Sequence, residues 1–336
     1  MLEHGGHILE AAQRYGIPRE EWLDLSTGIN PIGWPIPALP TDVWRRLPEE
    51  MDGLSEAAAA YYGTALLIPV AGSQAAIQTL PALRAASRVG ILSPSYLEHA
   101  YAWQRHQHQV IALDEHQIES EIDKLEVLVL CNPNNPTGCR FTPDTLLRWR
   151  ERLAARDGWL VVDEAFCDAE PALSVTQYAG EPGLVVLRSL GKFFGLAGVR
   201  LGFIAAWPTL LAQMQETLGP WTVNGPARWI ARHALRDTQW QDVTRQRLMH
   251  DSTRLAELLS RYGLRPTGSS ALFQSLHTPR AQAVHEHLAQ SGILVRVFSD
   301  PSSLRFGLPG VPSEWERVDA ALTSWDAPYR GRGTCI

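Results

Sequence analysis

Four short apolar runs limit what this chain can fold into more than any other feature. They are "RVGILSP" (88–94), "LEVLVLCNP" (125–133), "GWLVVDEAF" (158–166) and "GLVVLRSLG" (183–191). Their Val, Leu and Ile residues are continuous rather than alternating, so each run is expected to be a strand buried on both faces. Helical stretches such as "PDTLLRWRERLAARDG" separate some of them, and strand alternating with helix predicts a mostly parallel central α/β sheet flanked by helices. "LSEAAAAYYG" (54–63) reads as a helix stopped by Gly63, and "LIPVAGSQAAIQTLPALRAA" as a strand, a Gly-Ser turn and a helix beginning near Ser73. Past residue 220 the texture changes. A long helical region over 226–261 precedes "ALFQSLH", a helix, "GILVRVF", "SSLRFGL" and a final helix, which predicts a smaller α+β C-terminal domain. At 336 residues the chain is too long for one ordinary core. The expected division is an N-terminal arm over 1–40 that packs on the small domain and active site, a large domain over 41–220, and a small domain over 221–336.

Composition removes several classes of function. A 45% hydrophobic, 20% charged chain is a packed protein rather than a disordered one. Its formal net charge of −6 offers no general field for nucleic acid. No apolar run approaches the roughly 20 residues that span a bilayer. The opening "MLEHGGHILEAAQRYG" mixes His and Glu among its apolar residues, and the four cysteines form no CxxC pair. A cytoplasmic protein is the expectation. No metal site is assigned, since His99, His106 and His108 fall on a stretch expected to be solvated.

Ligands of open α/β sheets gather beyond the carboxyl ends of the strands. The polar residues there are Ser93 to Tyr96, Asn132 to Gly138, Asp163 with Glu164, and Ser189 to Lys192. No GxGxxG follows the first strands, and no GxxxxGK[ST] occurs. Instead "SLGKFFGLAGVRLGF" (189–203) sets one lysine in a run rich in glycine and apolar residues, and lysine is seldom buried without a partner. An amine that joins an aldehyde cofactor is one reason for it. Pyridoxal phosphate would need anchors for its phosphate, and Ser189, Arg200 and the helix opening at Gly72, Ser73 and Gln74 are candidates. Its ring nitrogen needs a carboxylate, for which Asp163 at a strand end is suited. Tyr96 could stack on the ring and Asn135 donate to its phenolic oxygen. Plainer readings stand beside these: Lys192 as a turn residue, Asp163 as a strand-end cap, Asn135 as part of a turn, Ser73 and Gln74 as a helix cap, and Tyr96 as core.

"CNPNNPTG", "VVDEAF" and "SLGKFFGLAGVRLG", in that order, resemble the signature of class I/II aminotransferase-type pyridoxal-phosphate enzymes of fold type I, and the resemblance covers nearly the whole chain. It implies that Lys192 forms the Schiff base and later moves the proton. It also implies that Asp163 pairs with the pyridine nitrogen, Asn135 with the phenolic oxygen, and Ser189 and Arg200 with the phosphate, in a homodimer. "HGG" (4–6), "DLSTGINPIG" (24–33), "RRLPEEMDGLSEAAAAYYG" and "PVAGSQAAIQTLP" are similar to the branch that decarboxylates L-threonine O-3-phosphate to (R)-1-amino-2-propanol O-2-phosphate in cobalamin biosynthesis. In that branch Arg305 would pair bidentately with the substrate carboxylate and Arg296 with its phosphate. His4, Gly5, Gly6 and Asn30 would close over the substrate. For both arginines a surface ion pair is the plainer reading, and for His4 an idle place in an arm.

Two positions depart from the family pattern. Phe166 stands where the aminotransferases usually have tyrosine, and Leu47 stands near where a tyrosine is expected to reach the neighbouring subunit's cofactor. Decarboxylation is the expected reaction because it follows the N-terminal resemblance. Transamination of the histidinol-phosphate type starts from the same lysine chemistry and differs in which bond to Cα is held perpendicular to the ring. A non-catalytic partner protein on the same fold is the third reading.

Overall fold

Each of the four apolar runs forms a strand. The computed structural model describes residues 4–299 and 302–330. Its strands in chain order are β1 (Leu23–Leu25), β2 (Leu67–Val70), β3 (Arg88–Leu92), β4 (Gln109–Leu113), β5 (Val127–Cys131), β6 (Trp159–Asp163), β7 (Leu184–Ser189), β8 (Gly202–Ala205), β9 (Gly268–Ser270), β10 (Phe273–His277), β11 (Ile293–Ser299) and β12 (Ser302–Gly307). Two compact units hold them, one of residues 33–245 and one of residues 1–32 with 246–336.

The unit of residues 33–245 carries a seven-stranded sheet in the order β2-β8-β7-β6-β5-β3-β4. From β7 to β4 the neighbours run parallel, while β8 is antiparallel to both β7 and β2. Every residue of β5, β6 and β7 is buried, as expected for strands covered on both faces. Helix Leu54–Tyr62 ends where expected, with Gly63 in the left-handed conformation at φ 75°. Helix Pro143–Ala154 starts on a Thr142 side chain that accepts from the amide of Thr145 at 3.3 Å. Register lines up the strand ends: Cys131 lies beside Asp163, and Ser189 beside Gly202, which also pairs with Val70. The loops after β2, β3, β5, β6 and β7 therefore leave from one edge of the sheet.

The other unit has a five-stranded sheet in the order β1-β11-β12-β10-β9. β1 lies parallel to β11 and the remaining pairs are antiparallel. The N-terminal arm thus contributes a strand to this sheet, with Leu23 to Leu25 beside Ile293 to Val295.

The unit boundaries fall at 32/33 and 245/246 rather than at 40/41 and 220/221. The reason lies in helix Gly225–Arg236, which is anchored within the larger unit. Arg228 pairs with both oxygens of Asp52 at 2.7 and 2.8 Å, and the indole of Trp34 donates to Asp237 at 3.0 Å. The long helical region is also two helices. Gly225–Arg236 and Thr238–Arg261 meet at Asp237, whose backbone leaves the helical region.

Candidate active site

Lys192 follows β7 on a turn fixed by its neighbours. Phe193 and Phe194 are fully buried, and both rings pack on Trp240, at 5.5 and 5.6 Å. The amide of Trp34 donates to the carbonyl of Phe194 at 2.8 Å. Two apolar anchors in succession hold the backbone and leave the Lys192 side chain half-buried. Its Nζ lies 5.4 Å from the centre of the Phe166 ring. Ser189 accepts from the amide of Gly191 at 3.2 Å, which bends the chain out of the strand.

The anion-binding candidates meet through close packing of glycine. Arg200 adopts a left-handed backbone at φ 56°, rare for a residue with a side chain. Its guanidinium sits against Gly72: a Cβ on that glycine would lie 2.7 Å from Nη2. Gly72 has φ 73°, so glycine is required there on two counts. A Cβ on Gly202 would lie 2.6 Å from the Ser73 nitrogen, which presses the start of β8 against the same turn. Gly72, Ser73, Arg200 and the Ser189–Gly202 register pair are thereby gathered at one edge of the sheet.

Asp163 is 4% exposed at the end of β6. One oxygen accepts from the amide of Ala165 at 3.0 Å, and the other lies 2.9 Å from Nε2 of His99. Burial by itself would lower the imidazole, but bonds to Asp163 and Cys131 outweigh it and hold His99 up at about 10. A protonated His99 is thus the buried partner that faces the Asp163 carboxylate. His99 was expected to be solvated, and so was His108, yet both are buried. The physical reason for His99 is helical spacing. In helix Leu97–Arg105 it shares the sheet-facing side with Ala102 and Trp103, at i, i+3 and i+4. His108 is buried by ring contact with Trp103 at 4.6 Å and a bond to the carbonyl of Pro81 at 2.9 Å. His106 is exposed, as expected. Ligand atoms of His99, Cys131 and Asp163 lie within 4.8 Å of one another. The His99–Asp163 ion pair already accounts for that closeness.

Tyr96 is half-buried, and its hydroxyl donates to Gln74 at 3.1 Å; Gln74 in turn donates to Glu98 at 2.7 Å. Burial, with Glu98 nearby, pushes this hydroxyl's pKa up, so it stays protonated. The tie fixes the ring 6.0 Å from that of His99 and nearly perpendicular to it. In the loop after β5, Asn132 exchanges bonds with the backbone of Phe141 at 2.9 and 3.0 Å. Asn134 bonds to Pro94, Ser95 and Thr137. These two asparagines hold the loop in shape and leave Asn135 half-buried at its turn.

In the other unit, Arg296 and Arg305 are register partners on β11 and β12. Arg305 is 5% exposed and donates to the carbonyl of Ser26. Burial, reinforced by Arg296 and opposed by Asp24, lowers it to about 10, so it stays charged at neutral pH. Arg296 donates to the carbonyl of His4 at 2.9 Å. A Cβ on Gly5 would lie 2.5 Å from the Ser26 carbonyl oxygen, and Gly6 donates to the Ser26 hydroxyl at 2.8 Å. A cavity of about 340 Å³ is lined by His4, Gly5, Gly6, Ser26, His285 and Arg296, among others. Arg305 and Asn30 are not among its lining residues. Asn30 is fully enclosed, and its amide oxygen accepts from Arg247 at 2.9 Å and from the amide of Ile32 at 3.1 Å.

A family model for class I and II aminotransferases matches residues 48–323. The chain belongs to this family. Within it, the chain is 55% identical to the threonine-phosphate decarboxylase of Pseudomonas aeruginosa, over 98% of this chain and 99% of that one. It is 43% identical to the threonine-phosphate decarboxylase of a Sinorhizobium species, over 95% and 97%. Its fold matches that of a histidinol-phosphate aminotransferase from Sinorhizobium meliloti, solved in complex with pyridoxal-5'-phosphate. The TM-score is 0.80 at 19% identity, covering 98% of this chain and 96% of that one. The family's fold type is therefore this chain's fold, with its mixed α/β sheet and smaller α+β unit.

Proposed function

We propose that the chain binds pyridoxal phosphate and decarboxylates L-threonine O-3-phosphate to (R)-1-amino-2-propanol O-2-phosphate, as a cytoplasmic homodimer in cobalamin biosynthesis. The observation that carries this reading is the 55% identity to a threonine-phosphate decarboxylase along essentially the whole of both chains. The donor set on the larger unit fits the cofactor: a buried carboxylate facing a protonated imidazole, a lysine at a strand end, and a guanidinium beside a glycine turn. When bound, pyridoxal phosphate supplies an electron-poor ring that takes up the electron pair left at Cα as CO₂ departs.

The chain's own residues then have distinct tasks. Lys192 attaches the cofactor and returns a proton to the substrate carbon. Asp163, bonded to His99, holds the proton on the ring nitrogen. Asn135 donates to the phenolic oxygen and Tyr96 covers the ring. Ser189, Arg200, Gly72, Ser73 and Gln74 form the phosphate cradle. Arg305 takes the substrate carboxylate and Arg296 its phosphate, while His4, Gly5, Gly6 and Asn30 shape the substrate pocket. Phe166 offers an aromatic face to Lys192 where a tyrosine would offer a hydroxyl.

An exposed apolar groove on the larger unit supports the homodimer. Trp44, Leu47 and Trp221 are 67%, 64% and 59% exposed, and all three line it with Val199. Net charge of −6 supports a small-molecule substrate over nucleic acid, and among the described residues no helix is long and apolar enough to cross a membrane.

Transamination of the histidinol-phosphate type is the second reading, because such an enzyme shares this fold over 98% of this chain. Product analysis separates the two. The protein is incubated with pyridoxal phosphate and L-threonine O-3-phosphate without an oxo acid, and the mixture is examined by mass spectrometry. Aminopropanol phosphate formed over many turnovers is the expected result. Its absence, together with amino transfer from histidinol phosphate to 2-oxoglutarate, would select the second reading. A protein that takes up the cofactor and turns over neither substrate would favour the partner-protein reading.

A further inference from the structure

A buried ion cluster lies behind the strand ends, and none of the roles above uses it. Arg188 sits on β7, one residue before Ser189 and four before Lys192, with its side chain 3% exposed. One arm of its guanidinium donates to Glu164 and the other to Asp168, and both carboxylates are fully buried. Glu164 directly follows Asp163. It also accepts from the Ser174 hydroxyl at 2.6 Å, the Val175 amide at 2.7 Å and the Thr176 hydroxyl at 2.9 Å. Asp168 lies two residues past Phe166 and accepts from the Tyr61 hydroxyl at 3.1 Å. Arg245 completes the cluster, donating to the carbonyl of Asp168 at 3.0 Å while its guanidinium lies 5.4 Å from the Phe193 ring centre.

Burying two carboxylates around one guanidinium is costly, and apolar residues of equal volume would often serve stability as well. The geometry shows what the charges achieve instead. A planar fork meets two acceptors at fixed separation, which an ammonium on a flexible stem cannot do. Here the two acceptors belong to the segment that carries Asp163 and Phe166, and the fork belongs to the strand that delivers Lys192. The side chain of Arg188 also lies 4.6 Å from the Tyr62 ring centre, which limits its own freedom.

We propose that Arg188 is a positioning residue for the reaction: its fork locks the Asp163–Phe166 segment to the strand bearing Lys192, and so sets the lysine against the carboxylate and the aromatic face. The inference rests on the reading that Lys192 and Asp163 hold pyridoxal phosphate. Arg188 touches no reacting atom.

Arg188→Lys keeps the charge and removes the fork. Three properties are measured on the cofactor-loaded protein: the unfolding temperature, the pH midpoint of the bound cofactor's visible absorption, and kcat and KM taken separately for L-threonine O-3-phosphate. The expected variant is folded and cofactor-loaded, with kcat lowered roughly 10- to 100-fold by misplacement. KM stays within about threefold, and the absorption midpoint moves by about half a pH unit or more as the groups around Lys192 shift. A folded variant with wild-type midpoint and wild-type kcat overturns the inference. Should Arg188→Lys not fold, Asp168→Asn takes its place. That variant leaves Arg188 paired with Glu164, and the same two readouts decide. Wild-type protein that shows no cofactor band at all overturns the cofactor reading and the inference with it. A wild-type band with an unmoved variant midpoint and an unchanged variant kcat overturns the inference alone.

Discussion

The cofactor edge of the seven-stranded sheet and the arginine pair of the five-stranded sheet are built in different ways. At the first, near neighbours place the lysine: Phe193 and Phe194 anchor Lys192 and Gly191 bends the chain at Ser189, while Gly72 meets Arg200 and His99 meets Asp163 from other segments. At the second, the groups come from far apart. Ser26 ties Gly6 and Arg305, and Arg247 holds Asn30 from 217 residues away. The first region joins steric fit at Gly72 to the buried His99–Asp163 pair, and the second rests on arginines held by main-chain carbonyls. The two should therefore fail differently under mutation.

The largest effect is expected from Lys192→Ala, which removes the amine proposed to carry the reaction. Turnover should drop by about 10⁴-fold or more while the fold persists, as checked by steady-state assay beside circular dichroism. Arg305→Lys keeps the charge but loses the fork that meets the Ser26 carbonyl and, in the proposed role, the substrate carboxylate. A decrease of roughly 10²- to 10³-fold in kcat/KM is expected. If the decrease were as small as that of a surface arginine, the second region would not be the substrate anchor. Gly72→Ala strains a backbone at φ 73° and crowds Arg200. It should weaken cofactor binding by about 10- to 100-fold, the equivalent of ~1–3 kcal/mol of strain, measured by fluorescence titration with pyridoxal phosphate. An unchanged affinity would break the claim that glycine packing builds the phosphate cradle.

The smallest effect is one of stability. His99 is raised from 6.5 to about 10 in the folded chain. The His99–Asp163 pair should then contribute fully below pH 6.5 and be lost as pH rises through 10. Unfolding temperatures of the cofactor-free wild type should fall from pH 7 to pH 10 by about 2–8 °C more than those of His99→Gln. Parallel curves would mean that the pair carries no such linkage.

Legibility in the sequence follows the same divide. The strands, the turn at Lys192, the helix stop at Gly63 and the strand-end carboxylate all depend on local pattern, so they can be read from residues within about one helical turn or strand. His99 lies 64 residues from Asp163. Its only sequence signal is the helical face it shares with Ala102 and Trp103, and a histidine on such a face has no unique meaning. Arg188 left a trace of another kind, a charge inside the continuous apolar run of β7. That trace shows that a partner must exist but does not say which carboxylates supply it. The unit boundaries were displaced because Arg228 and Asp52 pair across 176 residues, a distance that no periodicity reports.

The most direct test of the account asks which bond to Cα breaks. L-threonine O-3-phosphate labelled with ¹³C in the carboxylate and deuterium at Cα is turned over without an oxo acid, and both labels are followed by mass spectrometry. The expected result is one labelled CO₂ for each aminopropanol phosphate, with the deuterium retained in the product. Deuterium washed out while the labelled carboxylate stays on the carbon skeleton would show that the Cα–H bond is the one broken, and would contradict the account.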